Sequence, residues 1–241
     1  MRTKVTPGAS LLAAALFCTT CITAAAQQPP AQGQAGPAGQ AQQQSAQPAL
    51  DTWGDNFDGE RLDESNWELY TFEGAGGKAE VKGGQLRLRG AGDSRSGVRS
   101  KQSFTGDRFY AEATLTKVSE RAPRPGEQGM QLGTGVLTVL FDGRPENRIE
   151  WLLRSDGIFE AWLSVDGRME RVDNGKLATK EKSPRLGIAR RGDDVFFMLN
   201  GEVGLKRTAR ALPASFKVML YGFGTTENDW DSVRVQTLKQ Q

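Results

Sequence analysis

Residues Asn147–Val165 read Asn-Arg-Ile-Glu-Trp-Leu-Leu-Arg, then Ser-Asp-Gly, then Ile-Phe-Glu-Ala-Trp-Leu-Ser-Val. Two runs rich in strand-forming residues flank the short link Ser155-Asp156-Gly157. Gly157 can supply the positive φ angle that a three-residue hairpin loop needs. The stretch therefore predicts a β-hairpin, and the rest of the chain is interpreted from it.

Closing the hairpin on this loop decides which side chains share a face. The pairing runs from Arg154 with Ile158 to Arg148 with Ser164, and side chains alternate between the two faces of a sheet. The apolar face, which we predict to be core, holds Ile149, Trp151, Leu153, Phe159, Ala161, Leu163 and Val165. The opposite face, where we expect a site, holds Arg148, Glu150, Leu152, Arg154, Glu160, Trp162 and Ser164.

Residues 1–26 have the three parts of a secretory signal peptide. Arg2 and Lys4 precede a short apolar run, Ala9–Phe17, and the segment ends in small residues at Ala24–Ala26. The apolar run is too short to span a bilayer. We therefore expect cleavage near Ala26 and a secreted or periplasmic protein, with no integral membrane segment in the mature chain.

Residues 27–49 consist almost entirely of Gln, Ala, Pro and Gly. Such a segment cannot bury enough apolar surface to offset the entropy of ordering, so we interpret it as a flexible linker. Residues 50–241 contain no second low-complexity break and are long enough for one sizeable core. We expect a single domain there.

The composition of the mature chain restricts its chemistry. Without Arg2 and Lys4 the 31 basic residues become 29, which equals the 29 acidic residues. A balanced charge gives no electrostatic argument for binding nucleic acid. The chain has no His, and both cysteines, Cys18 and Cys21, lie in the predicted signal peptide. Thiol nucleophiles, Ser-His-Asp triads and the usual zinc sites are therefore excluded from the mature chain.

The rest of the domain alternates strand-length runs with Gly, Asn and Asp turns. The segment Gly133–Phe141 is apolar on both faces and predicts a central strand, while Asn200-Gly201 is the strongest short hairpin signal. We interpret Phe196 and Met198 as packing between sheets. No window shows a 3.6-residue apolar period, so helix content should be minor. The pattern predicts an all-β fold, a two-sheet antiparallel sandwich rather than a barrel.

Three further stretches stand at the start, middle and end of the domain. They are Asp55–Gly59 with Leu62-Asp63 and Trp67, Ser96–Phe104 followed by Gly106–Glu112, and Asp229–Val235. Together they resemble the concanavalin A-like lectin/glucanase superfamily, and within it the laminarinase and lichenase branch, glycoside hydrolase family 16. The resemblance implies a jelly roll, with a polysaccharide or glycan as partner.

The same resemblance implies a structural calcium ion. Asp231 would supply a carboxylate, and backbone oxygens near Asp58 and Gly59 would complete an oxygen-only shell of the kind that calcium accepts. The alternative for Asp231 is that it caps a turn.

The resemblance fails at the strand that carries the family's catalytic residues. That strand reads Glu-Ile-Asp-Ile-x-Glu, whereas its counterpart here, Arg148–Leu153, has Arg148 at the nucleophile position and no Glu at the acid/base position. A retaining glycosidase needs two carboxyl groups about 5 to 5.5 Å apart. This strand offers one, Glu150.

Three functions stay open. In a non-catalytic carbohydrate-binding module, Trp162 would stack on a sugar ring while Glu150, Glu160 and Arg154 bind hydroxyl groups; alternatively, these residues form a solvated face and Trp162 covers a neighbouring strand. In a divergent hydrolase, Glu150 and Glu160 would act together as diagonal neighbours on one face. In a structural or adhesive module, the exported domain would bind no small ligand.

Overall fold

The computed structural model describes residues 50–123, 126–173 and 175–238. The predicted signal peptide (residues 1–26) and linker (residues 27–49) lie outside the described residues. The described residues form fourteen strands: β1 (Leu50–Asp55), β2 (Trp67–Val81), β3 (Leu86–Ser100), β4 (Phe104–Thr105), β5 (Arg108–Val118), β6 (Thr134–Phe141), β7 (Arg148–Arg154), β8 (Phe159–Val165), β9 (Arg168–Arg171), β10 (Arg185–Arg191), β11 (Asp194–Leu199), β12 (Glu202–Thr208), β13 (Ser215–Phe223) and β14 (Glu227–Leu238). Nowhere in these ranges is there a helix long and apolar enough to cross a membrane.

The strands pair antiparallel in two layers. Sheet I has the order β12-β11-β10-β5-β14, with β1 paired to the second half of β14. Sheet II has the order β3-β13-β6-β7-β8-β9, with β2 on β3 and the short β4 on β13. Strands β5 and β10 of sheet I lie against β6 and β7 of sheet II. This arrangement confirms the predicted all-β, two-sheet antiparallel sandwich.

The long β2–β3 hairpin connects the two layers. The first part of β3, Leu86–Arg89, pairs with β14, and a later part, Arg95–Arg99, pairs with β13. Between these parts the β2 register shifts three times, starting between Thr71 and Glu73. Such β-bulges bend a strand and change which side chains face each way. Strand β2 thereby follows both layers: it begins at the edge of sheet II and ends beside the part of β3 that pairs with sheet I.

The hairpin of β7 and β8 has the predicted register. Arg148 pairs with Ser164, Glu150 with Trp162 and Leu152 with Glu160. Gly157 has the predicted positive φ of 84° in the connecting loop. The predicted central strand is also confirmed, because β6 lies between β13 and β7 and is almost wholly buried.

The core between the sheets contains the predicted apolar face of the hairpin. Six of its residues are buried in the main cluster, and Val165 packs against it; the six are Ile149, Trp151, Leu153, Phe159, Ala161 and Leu163. Trp151 stacks on Phe159 at 5.0 Å between ring centroids, and its indole N–H donates to the carbonyl of Met198 at 2.8 Å. A buried indole thus finds both an apolar partner and a hydrogen-bond acceptor.

The interpretation of Phe196 and Met198 as inter-sheet packing is wrong. Strand β11 buries Val195 and Phe197 in the core, so strand alternation turns Phe196 to the outside of sheet I. There the ammonium group of Lys206 lies 5.5 Å from the Phe196 ring centroid. Both neighbours in the run Val195-Phe196-Phe197 are apolar, so composition could not decide which of them faces the core.

Candidate functional site

The outer face of sheet II is the side turned away from the core, and it carries the predicted site residues. On β7 and β8 it consists of the even-numbered hairpin residues, as the sequence predicts. Strands β6 and β13 extend it, because Glu150 is opposite Thr138 and Thr138 is opposite Met219. One row along, Leu152 is opposite Val136 and Val136 is opposite Tyr221.

The middle of the outer face is apolar and covered. Its buried residues are Val136, Leu140, Leu152, Met219 and Tyr221. Tyr70, Phe72 and Trp162 pack against this cluster from the sides. The Phe72 ring meets Tyr221 edge-on at 5.6 Å between centroids and lies 5.2 Å from the guanidinium carbon of Arg148. The chain's own aromatic side chains therefore fill the centre of the face.

Glu150 lies beneath this aromatic cover and is only 2% exposed. Its Oε1 accepts hydrogen bonds from Arg148 Nε at 2.6 Å and from the Tyr221 hydroxyl at 2.8 Å. Burial and the negative charge of Glu150 raise the pKa of Tyr221 well above its ordinary value of 10.0, so the hydroxyl stays protonated and donates. Arg148 also donates to the carbonyl of Pro145. A buried charge pair with these partners is satisfied within the fold.

Trp162, Glu160 and Arg154 form a second cluster at the edge of the face. Glu160 accepts from Arg154 Nη1 at 3.0 Å and from the indole N–H of Trp162 at 3.2 Å, and Arg171 Nη1 lies 3.5 Å away. Hydrogen bonds to Asp156 and Glu160 raise the pKa of the Arg154 guanidinium, and burial opposes the shift. Trp162 is half-buried, with its N–H held by a carboxylate and part of its ring accessible.

The four predicted ligand-binding residues share one face, but they fall into two environments. Glu160 accepts hydrogen bonds from both Trp162 and Arg154, and all three residues are partly exposed. Glu150 is directly opposite Trp162 in the sheet but is buried with Arg148 and Tyr221. A retaining hydrolase needs two carboxyl groups that both reach the substrate, and in this arrangement Glu150 does not reach solvent.

Sequence reasoning missed Tyr221 and Phe72. The run Ser215–Phe223 is largely apolar on both faces, which indicates a central strand. The sequence does not show which strands lie beside it, so it does not place Tyr221 near Glu150. Phe72 lies at the first β-bulge of β2, where simple alternation fails.

The residues of the predicted calcium site lie near the β1–β14 pair. Asp55 of β1 pairs with Val233, two residues from Asp231 in β14, and Asp58 and Gly59 follow the end of β1 in the chain. Asp231 lies at a β-bulge between Trp230 and Ser232, so the alternative of a turn cap is wrong.

Asp58, Gly59 and Asp231 are exposed, and the described residues contain no group of three or more acidic side chains that could hold a metal ion. A calcium ion would therefore depend on backbone carbonyl oxygens around one or two carboxylates. Calcium binding at Asp231 stays a prediction.

Comparison with solved structures places this geometry in a known architecture. An endo-β-1,3-glucanase from Pyrococcus furiosus superposes with a TM-score of 0.59 at 13% identity, covering 78% of this chain and 94% of that chain. SCLam, a non-specific endo-β-1,3(4)-glucanase from family GH16, gives 0.59 at 10% identity, covering 80% and 95%. A β-glucanase from Bacillus licheniformis gives 0.56 at 11% identity, covering 78% and 98%.

The domain is a concanavalin A-like jelly roll. The likeness extends over nearly the whole length of the family 16 glucanases, so the resemblance expected from the sequence is confirmed at the level of the fold. No known family model and no curated protein matches the sequence. Sequence identities of 10% to 13% show a shared fold and do not show a shared function.

Proposed function

We propose that this jelly roll binds a polysaccharide through the outer face of sheet II and does not cleave it. The observation that carries the proposal is the state of Glu150, the carboxylate of the strand where cleavage chemistry is expected. It is buried, and its Oε1 is occupied by Arg148 and Tyr221. A carboxylate held in this way is suited to stabilising the fold, not to attacking a glycosidic bond.

Binding is supported by the cluster at the edge of the same face. Sugar sites combine an aromatic ring, which packs on the C–H groups of a pyranose, with charged groups that bind its hydroxyls. Trp162 supplies a half-exposed ring, and Glu160 and Arg154 lie beside it within hydrogen-bonding distance of each other. The glucan-cleaving names of the structural neighbours favour β-glucans as the first ligands to test. The predicted signal peptide would bring the domain to extracellular or periplasmic polymers.

Trp162→Ala tests the binding surface, and Phe196→Ala is a matched control. Both residues are half-buried aromatics on outer faces, Trp162 on sheet II and Phe196 on sheet I. Retardation in native gels containing β-1,3-glucan or mixed-linkage β-glucan measures affinity. We expect Trp162→Ala to weaken binding several-fold, since loss of one stacking ring removes on the order of 1 kcal/mol. Phe196→Ala should bind like the wild type.

Melting temperatures separate lost contacts from lost folding. Burial of Trp162 in the core would make its replacement destabilising by about 3 to 5 kcal/mol, whereas a half-exposed residue should alter stability far less. Equal binding by wild type and Trp162→Ala would place the ligand elsewhere. No retention on any glycan of a broad array would favour a structural or adhesive role.

A further inference from the structure

Phe72 occupies the centre of the face that we propose binds a polysaccharide. Its ring contacts Tyr221 and Arg148, the two residues that donate to Glu150. The guanidinium carbon of Arg95 lies 5.9 Å from the same ring. Phe72 therefore places an apolar ring from the edge strand β2 over the hydrogen-bonded group of Arg148, Glu150 and Tyr221.

The strands beneath Phe72 contain one buried hydroxyl that no described residue bonds. Thr138 is 0% exposed, and its Oγ1 has no hydrogen-bond partner among the described residues. Thr138 is directly opposite Glu150, whose two hydrogen bonds from described residues both fall on Oε1. Buried polar groups are nearly always satisfied, so the unpartnered Thr138 hydroxyl beside this carboxylate indicates a missing partner. A hydroxyl group of a ligand can donate to the carboxylate and accept from Thr138.

The segment that carries Phe72 is an irregular part of β2 that Thr71 and Gly77 hold to Ser96 at its two ends. Register shifts lie on both sides of Glu73, and residues 73–76 are exposed. Gly74 has a positive φ of 74°, a conformation that glycine adopts without steric cost. Strand β2 is also an edge strand at this point, so its displacement breaks pairing with one neighbour only.

We infer that Phe72 is a displaceable cap over a hydroxyl-binding seat formed by Thr138 and Glu150. The inference rests on the proposed function and adds its regulation: one sugar unit enters the seat when Phe72 leaves. While the cap is closed, the fraction of molecules competent to fill the seat is small, and the apparent affinity falls in proportion. Removing the ring should therefore tighten binding, the opposite of what removing a stacking platform does.

The experiment compares binding of a β-1,3-glucan hexasaccharide to the wild-type domain and to Phe72→Ala by isothermal titration calorimetry. Phe72→Ala should bind about tenfold more tightly, because it removes the ring contacts that hold the cap closed. In the double variant Phe72→Ala, Thr138→Val, residue 138 keeps its shape but loses its hydroxyl. Most of the gain in affinity seen for Phe72→Ala alone should then disappear. Leu69→Ala, at a 60% exposed position of the same strand, is the control and should leave affinity unchanged.

The outcomes distinguish the cap from the proposed function. Weaker or equal binding by Phe72→Ala, with wild-type binding that still depends on Trp162, overturns the cap and leaves the proposed function intact. A gain that Thr138→Val does not reduce overturns the seat. Binding by Phe72→Ala but not by the wild type supports the cap. Absence of binding by both proteins overturns the proposal of β-glucan binding together with this inference.

Discussion

The hydroxyl of Tyr221 on β13 lies 2.8 Å from Oε1 of Glu150 on β7, across the intervening strand β6. This bond joins two strands that do not pair directly. It also decides the environment of Glu150, because the carboxylate is held under the aromatic cover and away from solvent.

Tyr221→Phe removes this bond and keeps the ring. We expect the free energy of unfolding to fall by about 1 to 3 kcal/mol, because a buried carboxylate loses one of its donors. The control is Tyr70→Phe, since the Tyr70 hydroxyl makes no hydrogen bond to a described residue and should change stability little. Urea denaturation of both variants measures the difference, and equal midpoints would show that the bond contributes nothing.

Thr138→Val should leave stability unchanged or raise it by up to about 1 kcal/mol, because it replaces an unpartnered buried hydroxyl with a methyl group. Thr134→Val on the same strand is the matched control. Its hydroxyl accepts from the backbone N–H of Phe223 at 3.1 Å, so its loss should cost about 1 kcal/mol. Thermal denaturation of the wild type and both variants, without ligand, measures these differences in stability. A destabilised Thr138→Val would mean that the hydroxyl already has a partner.

Asp173 predicts an acid-sensitive contribution to stability. Burial acts to raise its pKa, but hydrogen bonds from Arg171 and from the backbone N–H groups of Ala161 and Gly175 outweigh it and lower the pKa below 3.8. A depressed folded-state pKa stabilises the fold above the unfolded-state pKa, and this contribution is lost as the pH falls through the folded-state value. Asp173→Asn should therefore be less stable than the wild type at pH 7, and the gap should shrink below about pH 4. A gap that is constant with pH would contradict this assignment.

Calcium binding near Asp231 is testable by chelation. A metal that binds only the folded state raises the melting temperature, so EDTA should lower it and added calcium should restore it. Asp231→Asn should abolish this response. An unchanged melting temperature on chelation would refute the site.

The fold was largely predictable because its signals are local. Strand alternation and the Ser155-Asp156-Gly157 loop fix the register of β7 and β8, so the faces of Trp151 and Trp162 follow directly. The same alternation gave no answer for Phe196, because its neighbours in β11 are also apolar.

The site was only partly predictable because its environment depends on distant strands. Placing Glu150, Glu160, Arg154 and Trp162 on one face needed only the hairpin. Glu150 is buried beside Arg148 and Tyr221, and Phe72, from a bulged edge strand much earlier in the chain, contacts both of these residues. Neither bulge positions nor long-range strand order can be read from local pattern.

Binding without cleavage is decided by one paired measurement on soluble β-1,3-glucan and mixed-linkage β-glucan. The wild-type domain is incubated with polymer, and bound protein and newly formed reducing ends are measured in the same samples, with Trp162→Ala and Glu150→Gln alongside. We predict retention that Trp162→Ala weakens, with no reducing ends above background in any sample. Release of reducing ends by the wild type, abolished by Glu150→Gln, would contradict the proposal and identify the domain as a hydrolase.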